Sequence, residues 1–499
     1  MSKPPPKKGA KKDRGPLLAA HADCLRVGVG TAPDGQVIKG KLTAALNIWS
    51  IVLGGEEERE DVFKAGLIPL LQSLLERGDV EERHATMGCI SVLALSDKHI
   101  GEVVTNRVLV AASNILLSDH ARGKLPAVQL LRHCAGRQEF ATKVADVSLP
   151  ALVEVLKSEG LPGWGQMRQA QTHAAHTLKQ LLENVEGEPP EVRQLRRIAA
   201  LQAGAVAPLA AMVAYTPRMP PPSLVPAPPP PMAKKKGKAG KAKAKSSETP
   251  LGAKDAAATA AAACLRFLSL VPEFVEEFMR TGTLPALVQG LLTCGEEQAA
   301  FLTGILWEAT AEAAVAEQAA AAGGVGALLH VVSKNLAGCK SGKARLAKKG
   351  DDKGKGAPKD AKDAKAREAR KKALAEATNF ADAAVCNATG ALQHLTFQDG
   401  AKQEVALSGG VPILTACLRV SNPQTYENAS GALWNVGLDV RNNLVLQAAG
   451  APDFLARPVP DSWLTRGDTG SGEGEATEAA SPPREYAAAD RVFLTQQPL

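Results

Sequence analysis

One short pattern of small and apolar positions returns along the chain: a small residue, usually Gly, then an aliphatic position, often Pro, then Leu. It reads Gly66-Leu-Ile-Pro69-Leu-Leu71, Ser148-Leu-Pro150-Ala-Leu152, Gly204-Ala-Val-Ala-Pro208-Leu209 and Gly282-Thr-Leu-Pro285-Ala-Leu287. It continues as Gly324-Val-Gly326-Ala-Leu328, Gly410-Val-Pro412-Ile-Leu414 and Gly450-Ala-Pro452-Asp-Phe-Leu455. Each copy predicts a helix boundary. Gly closes one helix in a left-handed conformation, and Pro in the first turn of the next lacks an N–H that has no partner there anyway. Pro285 to Gly326, which holds the Pro position of its copy, is 41 residues and Pro412 to Pro452 is 40. Pro69 to Pro150 is 81, two periods with a degenerate copy near Val108. The 77 residues from Pro208 to Pro285 become 38 without residues 216–254, and the 86 from Gly324 to Gly410 become 47 without 338–376. A repeat of about 40 residues predicts stacked helical units, interrupted by two insertions.

A second motif keeps phase with the first: Gly88-Cys-Ile90, Gly304-Ile-Leu306, Gly390-Ala-Leu392 and Gly431-Ala-Leu433. Composition agrees with helices. Of 499 residues 45% are apolar and only 4% aromatic, which suits close helix packing better than β-sheets. The eight cysteines stand singly without a C-x-x-C pair and read as small buried residues in a reducing compartment. No stretch reads as a membrane span or a secretory signal.

Charge divides the chain. Residues 1–15, 216–254 and 338–376 are rich in Lys, Pro, Gly and Ala and carry +5, +8 and +8, so the overall +7 is +21 in these segments and −14 elsewhere. They are expected to lie outside any packed core. The expected organisation is a basic tail (1–16), repeats with a degenerate N-terminal part (17–215), an insertion (216–254), repeats (255–337), a second insertion (338–376), repeats of the clearest pattern (377–456) and an extended tail (457–499). Both insertions, and the smaller Gly160-Leu-Pro-Gly-Trp-Gly165, fall between the second and third helix of a unit.

Asn428-Ala-Ser-Gly-Ala-Leu-Trp-Asn-Val-Gly437 resembles the third helix of catenin-type armadillo repeats, and Asn387-Ala-Thr-Gly-Ala-Leu-Gln-His-Leu-Thr-Phe397 is similar to repeats of the delta-catenin branch. The resemblance covers roughly 42–215, 255–337 and 377–455. It implies an all-α, right-handed superhelical solenoid of eight to nine units, each a short helix, a second helix opening at Gly-x-Ile-Pro, and a long third helix lining a concave groove. Importin-alpha repeats carry a Trp and, four residues later, an Asn on that helix. Here those positions hold Ala263, Gly304, Gly390 and Gly431, then Phe267, Glu308, His394 and Asn435. Only Asn435 matches, which disfavours a nuclear-transport adaptor. The groove candidates are Asn435, His394, Glu308, Asn387 and Asn428, with Asn435 equally readable as a residue that satisfies local backbone groups.

No catalytic signature is evident, and neither a cofactor nor a metal is implied. Gly28-Val-Gly30 lacks the third glycine and the βαβ setting of a dinucleotide loop and reads as a turn or linker. Gly338-Cys-Lys-Ser-Gly342-Lys343 has the wrong spacing for a phosphate loop, and His173 and His176 have no evident carboxylate partner. The expected function is a non-enzymatic scaffold for protein partners. Its lysine-rich arms (Lys234, Lys235, Lys236 and Lys238; Lys348, Lys349, Lys371 and Lys372) would attract an acidic polymer such as the tubulin tails of a microtubule. A cytoplasmic setting is expected, cytoskeletal or ciliary, with the nucleus left open. Nucleic acid is the alternative polymer, although the two internal insertions contain no Phe, Tyr or Trp to stack on bases.

Overall fold

Helix boundaries in the computed structural model fall where the glycine signals put them, with shifts of one residue. The structure describes residues 14–158, 164–183, 188–214, 250–336, 379–420 and 422–452. The chain divides into two units at Pro452, and the second, Asp453–Leu499, lies outside the described residues, as do the lysine-rich tail and most of both insertions.

Helix α1 (Gly15–Val27) leads through a hairpin of β1 (Val29–Thr31) and β2 (Val37–Lys39) into α2 (Lys41–Val52). Seven units follow. They are α3 (Glu56–Lys64), α4 (Ile68–Arg77) and α5 (Val80–Leu93); α6 (Ile100–Val103), α7 (Asn106–Leu117) and α8 (Lys124–Ala135); and α9 (Gln138–Lys157) with α10 (Trp164–Leu182). Next come α11 (Pro190–Gln202), α12 (Val206–Ala214) and α13 (Pro250–Leu268), then α14 (Phe274–Thr281), α15 (Leu284–Thr293) and α16 (Glu296–Ala309). The last two are α17 (Ala313–Ala321), α18 (Gly324–Leu336) and α19 (379–395), and α20 (Asp399–Leu407), α21 (Gly410–Cys417) and α22 (Pro423–Gly437). A 3-10 turn, Val440–Asn442, and α23 (Asn443–Ala448) open one more unit. The expected armadillo-like order of short, second and long third helix is present, and the array is all-α apart from the hairpin.

Six glycines at the first-to-second-helix corners, Gly66, Gly204, Gly282, Gly323, Gly409 and Gly450, have φ between +60° and +81°. An L side chain is strained there, which is why the corner is written with Gly. At two corners the work falls to Gly323 and Gly409, one residue before the expected Gly324 and Gly410. The degenerate copy near Val108 is a boundary of another kind: Thr105 caps α7 by accepting a hydrogen bond from the Val108 N–H at 3.4 Å.

The boundary expected at Ser148-Leu-Pro150 is absent, and α9 runs through Pro150. Position 148 holds Ser, which gains no low-strain route into the left-handed region, and its buried hydroxyl is engaged at 2.8 Å by Ser113 Oγ of α7. First and second helix are therefore fused. The residues around Gly28-Val-Gly30, read as a turn, pair as an antiparallel hairpin with Gly30 opposite Ile38. Ile38 is buried, and a Cβ on Gly30 would collide with the Ala20 carbonyl of α1. The hairpin occupies the same second-to-third-helix connection as the lysine-rich insertions, which depart after α12 and α18.

Apolar side chains from the helices of every unit are buried along the array, from Leu18 to Leu446. The seven described cysteines are buried and form no disulfide with one another. Burial pushes the thiols of Cys89 and Cys264 up, and that of Cys134 up to about 12, so they behave as small apolar residues. Among the described residues, no single helix is long and apolar enough to cross a membrane.

Candidate protein-binding groove

Successive third helices pack directly on one another, so α2, α5, α8, α10, α13, α16, α19 and α22 make an unbroken ladder. The repeated glycine of the second motif explains how they approach. A Cβ on Gly88 would lie 2.5 Å from the Trp49 ring of α2, and one on Gly390 would lie 2.5 Å from Trp307 Nε1 of α16. Gly304 receives Arg266 of α13 at 2.8 Å, and Gly431 receives Gln393 of α19. In the last three cases the covering side chain stands three residues after the repeat position of its own helix. The glycine is a landing site for a large side chain from the preceding unit.

Side chains one residue along, or nearby, stitch the same helices to each other's backbone. Cys89 Sγ–H donates to the Ala45 carbonyl at 3.1 Å and Cys264 Sγ–H to that of Ala175 at 3.4 Å. The asparagines singled out in the sequence belong to this stitching. Asn387 Nδ2 donates to the Ala300 carbonyl at 3.1 Å, and Asn428 Nδ2 to the Cys386 carbonyl at 3.1 Å. Asn435 Nδ2 donates to the Gln393 carbonyl and to Thr396 Oγ1, both at 3.2 Å. Asn428 and Asn435 are buried, at 3% and 6% exposed, whereas Asn387, His394 and Glu308 are half-buried. His394 Nδ1 lies 3.2 Å from Thr310 Oγ1, and Glu308 pairs with Arg266 at 3.4 Å. The structure thus strings the five candidates along α16, α19 and α22, one ladder position after another, and uses their polar atoms to join neighbouring helices. The eight named arm lysines lie outside the described residues.

A cavity of about 540 Å³ opens on the ladder between α5, α8 and α10. Its walls are Val92 at the end of α5 and Leu95 just beyond it, Gln129, Arg132 and His133 of α8, Arg137 after α8, and His173 and Gln180 of α10. By the register of the stitching bonds, Gln129 and His176 hold the positions that are Gly elsewhere. The facing residue on α5 is the small Ser91, so the staple of Trp on Gly is missing where the cavity lies.

Arg132 Nη1 donates to His173 Nδ1 at 2.7 Å, which requires a neutral imidazole. Burial, then the Arg132 charge, hold His173 below the usual histidine range. His176 is lowered to about 4 by burial and then by Arg132, Lys179 and His173. Burial lowers His133 too, partly offset by its hydrogen bond to the Ala94 carbonyl. Two buried polar atoms on this wall, His133 Nε2 and Gln180 Oε1, have no hydrogen-bond partner among the described residues. Arg137 is engaged by Asp97. Arg132 has no carboxylate within ion-pair distance among the described residues.

Arg132, His133 and Gln180 were not among the residues singled out from sequence, though His173 was noted. A signal was present: Lys124–Ala135 and Trp164–Leu182 contain no Asp or Glu at all, in a chain whose residues outside the basic segments sum to −14.

No family model matches the chain, and no curated protein matches it. Among solved structures it is similar to an engineered protein at 17% identity and a TM-score of 0.47, over 84% of this chain and 77% of that one. It is also similar to a computationally designed armadillo repeat protein for modular peptide recognition, at 16% identity and a TM-score of 0.37, over 53% of this chain and 92% of that one.

Proposed function

We propose that the protein is a non-enzymatic scaffold whose third-helix ladder binds an extended segment of a partner protein. The observation that supports this reading is the unbroken run of eight third helices with a cavity of about 540 Å³ opening onto it. Stacked units present a surface that lengthens with each repeat, and affinity comes from a few anchor pockets along it. Placing a photo-crosslinking residue at Gln129, beside the cavity, is expected to trap partner chains. The same residue at Leu407, exposed at the end of a first helix, is expected to trap none of them. Equal trapping at both positions would refute the groove.

The lysine-rich arms supply a second contact, with an acidic polymer. Support comes from the charge, +21 in three segments of which two interrupt the same connection of a unit, two units apart. Cationic segments of this kind attract a polyanion with little selectivity and strong salt dependence. The polymer we infer is the microtubule with its acidic tails, in a cytoskeletal or ciliary assembly. Co-sedimentation is expected to weaken when 233–245 and 340–372 are deleted, and unchanged binding would sink the idea. RNA competing equally at matched salt would favour the nucleic-acid alternative.

A further inference from the structure

The cavity between α5, α8 and α10 differs from the rest of the ladder in chemistry. Further along the ladder Arg266 of α13 is matched in place by Glu308 of α16 at 3.4 Å. Here Arg132 leans on a neutral histidine ring at 2.7 Å and meets no acid among the described residues. Neither α8 nor α10 contains an acidic residue, while together they carry Lys124, Arg132, Arg168 and Lys179. A half-buried guanidinium without a counter-charge is costly unless something arrives to pair with it.

Two buried acceptors lie on the same wall. His133 uses one ring nitrogen on the Ala94 carbonyl, which leaves Nε2 as an acceptor, and Gln180 Oε1 is an acceptor too. A buried acceptor left unmet costs about as much as a lost hydrogen bond, so natural proteins fill such positions with protein, water or ligand. The opening therefore presents one cation without a counter-charge among the described residues and an apolar wall from Val92 and Leu95, with the polar groups of His133 and Gln180 behind them. Its volume lies within the roughly 300–1,000 Å³ of pockets that bury a ligand.

We propose that this cavity receives the carboxylate of an Asp or Glu in an extended partner segment, with an aliphatic neighbour against Val92 and Leu95. The carboxylate pairs with Arg132, which meets no acid among the described residues, at the mouth of the opening. This rests on the groove reading above and adds the sign of the ligand. It sets the ligand apart from the basic peptides that an acidic groove would select. One guanidinium without a counter-charge among the described residues favours a singly charged carboxylate over a phosphate.

The test is selection of random 12-residue peptides displayed on phage against the full chain, followed by affinity measurement on synthetic peptides. The expected result is enrichment of Asp or Glu beside an aliphatic residue, with affinity falling about 10- to 100-fold in Arg132→Gln, as expected for losing a charge-assisted hydrogen bond. Gln129→Glu, at an exposed lining position, is expected to weaken the same peptides by placing a like charge in the opening while leaving the circular dichroism spectrum unchanged. Peptides that crosslink to the third helices yet lack acidic residues, or ignore both substitutions, would overturn the carboxylate site and leave the groove standing. Peptides that crosslink elsewhere, or no enrichment at all, would overturn both. Tenfold tighter binding after replacing the acidic residue by phosphoserine would reassign the opening to phosphate.

Discussion

Replacing Gly390 by Ala should change stability in opposite directions depending on what sits at position 307. In the natural chain the new Cβ would lie 2.5 Å from Trp307 Nε1, 2.6 Å from Cε2 and 2.8 Å from Cδ1, so the indole must move or α16 and α19 must separate. Overpacking of this kind costs about 1–3 kcal/mol, against which Ala gains about 1 kcal/mol over Gly in a helix interior. Gly390→Ala alone should therefore destabilise by about 1 kcal/mol, taking the middle of that range. With Trp307→Ala already in place, every one of the three nearest atoms is gone, and the same change should stabilise by about 1 kcal/mol. The double-mutant cycle thus has a coupling energy of about 2 kcal/mol. Because repeat arrays do not unfold as one cooperative block, the readout is native-state hydrogen exchange of amides in 379–395, with urea denaturation beside it. Additive effects, or destabilisation by Gly390→Ala in both backgrounds, would refute the staple as the reason for the glycine.

Two further outcomes follow from buried polar groups. Arg196 is 5% exposed and pairs with Glu188 at 2.5 Å while donating to Thr142 Oγ1, so Arg196→Ala should cost about 3–5 kcal/mol by stranding the carboxylate, most of it recovered by adding Glu188→Gln. Recovery absent in a denaturation series would show that the cost does not come from the stranded carboxylate. His176 titrates near 4 when folded and near 6.5 when unfolded, so both states are neutral above 6.5 and the unfolded chain binds the extra proton below it. Stability should then fall as pH drops from 6.5 towards 4 and level off below. The slope should be shallower in His176→Gln, and urea midpoints equal at pH 7 and pH 5 would contradict the lowered value.

How much was legible beforehand follows from the range over which each signal acts. Corners such as Gly282-Thr-Leu-Pro285 are written locally, because a left-handed residue followed by a first-turn proline needs no distant partner. The repeat length and the place of the insertions came from the same signal. Ser148-Leu-Pro150 imitated it without the left-handed residue, and the continuous helix there depends on packing against α7, which sequence spacing does not carry. The hairpin escaped notice because its two strands are three residues each, too short to show alternation. The second glycine motif was visible as a pattern but not as a contact, since its partner lies a whole unit earlier. Asn428 and Asn435 stood out as unusual, and only coordinates show their amides reaching the neighbouring backbone. The cavity needs three helices from three units, yet its sign was readable in the missing acids of α8 and α10.

The pairing of Trp49 with Gly88 and that of Trp307 with Gly390 are the same contact, although a long insertion separates only the second pair. The geometry between consecutive units is thus indifferent to how much chain is spent between the second helix and the third. That connection behaves as an open socket: a hairpin fills it in the first unit, short links in others, and basic segments in two. What is attached there can lengthen, shrink or change sign without disturbing the ladder, so the recognition surface and the appended arms are free to change independently of each other.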